Sequence, residues 1–189
     1  MIDFFAVFGL EPRPVIDATV LGDLFANKSK TTHPDRAADG DFATLNEAFR
    51  TLRDPASRIL HLLALSGDEP QLKAASAEVS AWFREVANSL QRFDRMLQPL
   101  SQETSSLLRA TKIREGQSLL TDLDKLTGGL TSQKEALLQA IAQIDARWPS
   151  DRPADRDSLA LIACDLRFLE KWLAQIGERR LRFQESANY

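Results

Sequence analysis

Residues 41–53 read Asp-Phe-Ala-Thr-Leu-Asn-Glu-Ala-Phe-Arg-Thr-Leu-Arg, with Phe42, Leu45, Phe49 and Leu52 separated by three, four and three positions. That interval marks one face of an α-helix and does not fit the alternation of a strand. On the N-terminal side, Leu21, Leu24 and Phe25 mark one face of another helix, from Asp17 to about Thr31. Two short helices that are each apolar on one side can bury those sides against each other, so the spacing predicts an antiparallel pair. The polar connection from Thr31 to Gly40 holds His33-Pro34-Asp35. Pro34 lacks an amide hydrogen and drives His33 away from helical geometry, which places the tripeptide on an exposed loop.

Further helices are expected on both sides, over Asp3 to Phe8 and Pro55 to Leu65. Asp17 and Asp41 suit N-caps, Pro55 a first helical turn and Gly67 the residue just past a C-terminus. Beyond Gly67-Asp68-Glu69-Pro70 the pattern lengthens. Val79, Phe83, Val86, Leu90, Phe93, Leu97 and Leu100 form a heptad seam. A less regular helix over 101–127 is expected to bend near Gly116 and to end at Gly128-Gly129. Ser132 and Glu135 have capping-box spacing before Leu137, Leu138, Ile141, Ile144 and Trp148. Pro149 to Asp157 reads as a linker. The last helix carries Leu159, Ile162, Leu166, Leu169, Leu173, Ile176 and Phe183, and is expected to pack lengthwise against the Val79 to Leu100 helix.

No segment of the 189 residues alternates as a strand does, so the fold is expected to be all-α. The 24 basic and 27 acidic side chains give a formal charge of −3, which argues against a broad electrostatic nucleic-acid binder. Neither half has a strong sign: residues 1–67 hold 7 basic and 9 acidic side chains, and the rest 17 and 18. The single cysteine, Cys164, allows no internal disulfide, and with only His33 and His61 beside it there is no metal-ligand cluster and no cofactor site to expect. His61 reads as structural and Cys164 as a small buried hydrophobe. No apolar run approaches a membrane span, and the N-terminus lacks a signal-peptide pattern, so a cytoplasmic protein is expected.

The first 67 residues resemble a J-domain, the DnaJ-type module. The likeness rests on ordered features: Asp3-Phe4-Phe5 with Phe8-Gly9-Leu10, the Asp17 helix, His33-Pro34-Asp35-Arg36, Leu45-Asn46-Glu47-Ala48-Phe49 with Leu52, then Asp54-Pro55. The continuation Pro55, Arg58, Leu62-Leu63, Leu65 and Gly67 is similar to HscB, the J-type co-chaperone of iron-sulfur cluster biogenesis. Leu166-Arg167-Phe168-Leu169-Glu170-Lys171 resembles a stretch of the last HscB helix. This implies a J-domain over 1–67, built on an antiparallel helical hairpin, and a C-terminal three- or four-helix bundle over 68–189.

The resemblance also implies the partners. A DnaK-type heat-shock chaperone would dock on His33, Pro34 and Asp35, with Lys28, Lys30 and Arg36 supplying the approach field, and would be stimulated to hydrolyse its ATP. A J-domain does no covalent chemistry of its own, so the chain is not expected to be an enzyme. The bundle would present an iron-sulfur scaffold or another client. Phe168, about 200° around the helix from Leu166, Trp172 one turn further on the same side, and Trp82 are its expected contacts, with Leu161 extending the strip. The chain departs from the family in its short basic row, in Thr32 where an aromatic precedes the His, in Asp17 and Asp23 opposing the basic residues, and in Ala81-Trp82-Phe83-Arg84-Glu85-Val86 where HscB is rich in Glu. The alternative is a non-catalytic helical interaction protein whose J-domain no longer stimulates a chaperone.

Overall fold

The computed structural model describes residues 1–31, 39–67, 74–100, 104–148 and 152–187, and every regular element among them is helical. The elements are α1 (Phe4–Phe8), α2 (Ala18–Thr31), α3 (Asp39–Arg53), α4 (Pro55–Leu65), α5 (Ala77–Leu100), α6 (Ser106–Arg147) and α7 (Arg152–Ala187). Local chemistry sets their ends. The Asp3 carboxylate accepts from the amides of Phe5 at 2.9 Å and Ala6 at 3.2 Å, and α1 stops at Gly9, whose φ of 67° suits a residue without a Cβ. Asp17 caps α2 by accepting from Thr19 at 2.7 Å and Val20 at 3.1 Å. Asp54 caps α4 through Ser57 at 2.8 Å, with Pro55 in the first turn. Since α3 starts at Asp39, Asp41 lies inside that helix and is not its N-cap.

The chain forms two compact units, residues 1–74 with 137–166, and residues 75–136 with 167–189. In the first, α2 and α3 pair as the spacing predicts, with Leu21, Leu45, Ala48 and Leu52 buried and Phe25 stacked on Phe49 at a centroid distance of 4.2 Å, but Phe42, expected on the same face, is exposed. Their core continues through Phe5, Phe8, Ile59 and Leu62 into Ile141, Ile144, Trp148, Leu159, Ile162 and Leu166. The end of α6 and the start of α7 therefore complete the core begun by the four N-terminal helices. Burying such side chains supplies about 1.5–3 kcal/mol each.

In the second unit α5, α6 and α7 pack as three helices. Trp82 meets Gly129 and Arg92 approaches Asp122, so α5 and α6 run in opposite senses. Phe83 meets Phe168 and Asp94 pairs with Arg179, so α5 and α7 run in the same sense. Only the part of α7 beyond Leu166 belongs to this unit; its earlier turns pack in the first, which corrects the expected lengthwise match with α5.

Three further expectations are corrected. Gly128-Gly129 does not end a helix, and Ser132 starts none: α6 runs 42 residues without a break. A helical glycine costs about 1 kcal/mol relative to alanine, but Gly129 makes room for an aromatic ring, since a Cβ there would lie 2.5 Å from the Trp82 ring. Nor does Gly116 interrupt the helix; the Phe183 ring occupies the space its Cβ would need. The linker is shorter than expected, because α7 already begins at Arg152. Its first turns are tied to α6 by Arg147, whose Nε and Nη2 donate to Asp155 at 3.1 and 2.6 Å.

The α5 seam holds at Val79, Val86, Leu90 and Phe93, all buried, but Phe83 is 41% exposed and Met96 replaces Leu97 in the interior. An α-helix has 3.6 residues per turn, so a strict heptad drifts around it, and Met96 comes to the inner side.

Candidate functional site

Lys28 and Lys30 are exposed in the last turn of α2, where cations also favour the helix C-terminus. His33, Pro34, Asp35 and Arg36 lie outside the described residues. Asp17 does not oppose these cations as its sequence position suggests. It is engaged as a cap at the other end of α2, roughly 16 Å away along the axis and beyond about one Debye length at physiological salt.

The segment entering α2 is fixed group by group. The Trp148 indole Nε1 donates to the Pro12 carbonyl at 3.2 Å. The Arg13 guanidinium forks onto Asp145, with Nε donating to Oδ1 at 3.1 Å and Nη2 donating to Oδ2. Asp145 Oδ1 also accepts from the Val15 amide at 3.0 Å. Arg58 donates through Nε to the Pro14 carbonyl at 2.8 Å and through Nη1 to the Leu52 carbonyl at 2.7 Å, which satisfies an oxygen in the last turn of α3. Burial pushes the Arg58 guanidinium below its usual pKa, with Asp54 and Asp145 pulling the other way.

His61 is structural, as expected. Its Nε2 accepts from the Phe4 amide at 3.0 Å, and its ring stacks on Phe4 with centroids 4.5 Å apart. Burial lowers its pKa, with Asp3 acting in the opposite direction. Cys164 is buried on α7. Among the described residues no group of three or more His, Cys, Asp or Glu is placed to hold a metal ion.

In the second unit, Phe168 and Trp172 come together with a residue the spacing had put in the core, Phe83. Phe83 meets Phe168 at a centroid distance of 5.1 Å and Trp172 at 4.8 Å, both edge to face, and Phe168 lies 5.8 Å from Trp172. Trp172 is only 6% exposed, so its expected outward placement is corrected: it fills the space between α7 and α5. Phe168 is half-buried, and so is Leu161, which sits in the first unit. Trp82 is also half-buried and places its ring against Gly129 of α6. Within this cluster of three rings the accessible surface is Phe83, with Phe168 partly exposed beside it. Phe83 was hidden from sequence reasoning by its regular seam spacing; the bulk of Trp172 opposite it was the available signal.

A helical hairpin with a basic helix end, closed by long helices that go on to form a three-helix bundle, defines the class: an all-α protein with an N-terminal J-like part and a C-terminal bundle. No protein-family model matches the chain. A curated relative, the co-chaperone protein HscB homolog of Bordetella avium (strain 197N), is 26% identical over 157 residues, covering 75% of this chain and 94% of the relative. Two solved structures share the fold. Chaperone HscB from Vibrio cholerae superposes with a TM-score of 0.59 at 18% identity, covering 94% of this chain and 96% of that one. The human co-chaperone protein HscB gives a TM-score of 0.58 at 15% identity, covering 96% and 83%. The chain is thus similar to HscB co-chaperones in sequence over most of its length and shares their fold.

Proposed function

We propose that the chain is a J-type co-chaperone of iron-sulfur cluster assembly, which docks a DnaK-type chaperone through the region between α2 and α3 and stimulates its ATPase. The observation that carries this is the agreement of a curated HscB relative along nearly its whole length with the order of the N-terminal signature around His33-Pro34-Asp35. In this reading Asp35 forms a charge-assisted bond to a cationic group of the chaperone, His33 adds a short polar contact, Pro34 holds the loop shape, and Lys28, Lys30 and Arg36 steer the approach. The ATP-hydrolysing transition state belongs to the chaperone. The bundle offers the scaffold the Phe83 and Phe168 edge, where apolar surface stays in contact with water and carries a docking value that buried Trp172 does not.

Single-turnover ATP hydrolysis by the host's DnaK-type chaperones tests the reading, with the wild type and His33→Gln side by side. The expected result is stimulation by the wild type that His33→Gln abolishes at unchanged melting temperature. Stimulation that survives His33→Gln overturns the docking role, and no stimulation of any host chaperone leaves the interaction-protein alternative.

A further inference from the structure

We propose that Asp145, on α6 and far outside the N-terminal block, is a positioning residue for chaperone docking, because it sets the direction in which α2 leaves the segment 12–15. The inference rests on the co-chaperone reading for its functional consequence. Asp145 is 8% exposed, and one carboxylate holds both the Arg13 guanidinium and the Val15 amide, 130 and more positions away in sequence. Trp148, one residue past the end of α6, holds Pro12 by donating its indole N–H to the carbonyl. Arg58 completes the set by holding Pro14. Four consecutive residues, 12–15, thus have a polar group tied down, two of those ties come from Asp145, and Asp17 caps α2 two residues later.

The apolar face of α2 does not do this alone. Phe25 and Leu21 attach the helix to α3 through contacts that are largely non-directional, whereas hydrogen bonds are directional and weaken steeply off axis. Angle matters because of leverage. Fourteen helical residues span about 21 Å, so a tilt of about 10° at the start of α2 moves its far end, with Lys28 and Lys30, by about 4 Å. That displacement exceeds the tolerance of a hydrogen bond or a short ion pair.

The experiment uses the full chain and two readouts. Asp145→Asn keeps an oxygen for the Val15 amide and gives up the charge toward Arg13; Arg13→Ala removes the other half of the pair; Trp148→Phe keeps the ring and removes only the bond to Pro12. Amide exchange is expected to speed up at Val15 and along α2 in each variant, with α5 unchanged. The concentration giving half-maximal ATPase stimulation is expected to rise about tenfold for Asp145→Asn, in the range of losing one charge-assisted hydrogen bond, while the plateau stays near wild type. Partial unfolding alone would raise that concentration only by the reciprocal of the folded fraction, which circular dichroism at the assay temperature measures independently. Unchanged exchange along α2 overturns the proposal, whether or not any chaperone responds. Faster exchange with the wild-type half-maximal concentration overturns it too, while leaving the co-chaperone reading intact. Should Asp145→Asn fail to fold, Arg13→Ala, at a half-exposed side chain, and Trp148→Phe decide by the same two readouts.

Discussion

The ring of Phe83 stands edge-on to Trp172, with centroids 4.8 Å apart and planes at 88°, and of the two only Trp172 is closed off from solvent. Edge-to-face pairing adds about 0.5–1.5 kcal/mol beyond the area that the rings bury. The pair therefore divides its work: Trp172 holds α7 to α5, and Phe83 shields it while keeping one side in water. Trp172→Ala is expected to cost about 3–5 kcal/mol of folding stability in urea titrations. Phe83→Ala should cost about 1 kcal/mol and instead weaken capture of an iron-sulfur scaffold in a binding assay. Equal stability losses would place both rings in the core.

Gly128 and Gly129 make a matched test of helix propensity against packing. At Gly128 nothing stands within 4 Å of an added Cβ, so Gly128→Ala is expected to raise stability by about 0.5–1 kcal/mol. At Gly129 the same methyl group meets the Trp82 ring, and Gly129→Ala is expected to lower the melting temperature. Trp82→Leu in the same chain should restore part of the loss. A rise in melting temperature for Gly129→Ala alone would show that the ring moves aside freely.

His61 gives the first unit an acid-sensitive contact. Its Nε2 accepts a hydrogen bond from the Phe4 amide only when that nitrogen is itself unprotonated, and burial lowers its pKa in the folded chain. The stabilising contribution is therefore fully present above the ordinary imidazole pKa of about 6.5 and is lost as pH falls through the lower, folded value. Unfolding free energies measured between pH 7.5 and 5 should fall with a component that is missing in His61→Phe, which keeps a stacked ring and cannot titrate. Parallel pH profiles would rule the contribution out.

The paired helices α2 and α3 were legible in the sequence because their apolar residues recur at threes and fours within a dozen positions, and their ends carry Asp17, Asp54 and Pro55. What was not legible depends on partners far away in the chain. Gly129 reads as a break until Trp82 is known to lie beside it, and Trp172 reads as an outward residue until α5 is placed against it. The Asp145 set was invisible for the same reason: Arg13, Val15 and Arg58 give no sign at the level of spacing that a carboxylate 130 positions later closes the arrangement. His33-Pro34-Asp35, the proposed docking signature, was read directly from the sequence and lies outside the described residues.

Arg58 offers the sharpest test of how the hairpin is held. It is 7% exposed, yet its charge is met by two backbone carbonyls, Pro14 and Leu52, rather than by a close carboxylate. A planar fork reaches both oxygens at once, and an ammonium does not, so Arg58→Lys is expected to lose one of the two bonds and strand a charge in a poorly solvated place. Arg58→Met removes the charge and keeps much of the side-chain volume, leaving two carbonyls without their partner. A stranded buried carbonyl costs about 1–3 kcal/mol, and an imperfectly paired buried charge costs more. The expected order of stability from urea unfolding is therefore wild type, then Met, then Lys, with Met about 2–4 kcal/mol below wild type. A lysine variant as stable as wild type would mean that water reaches the site and that the fork geometry at Pro14 and Leu52 is dispensable.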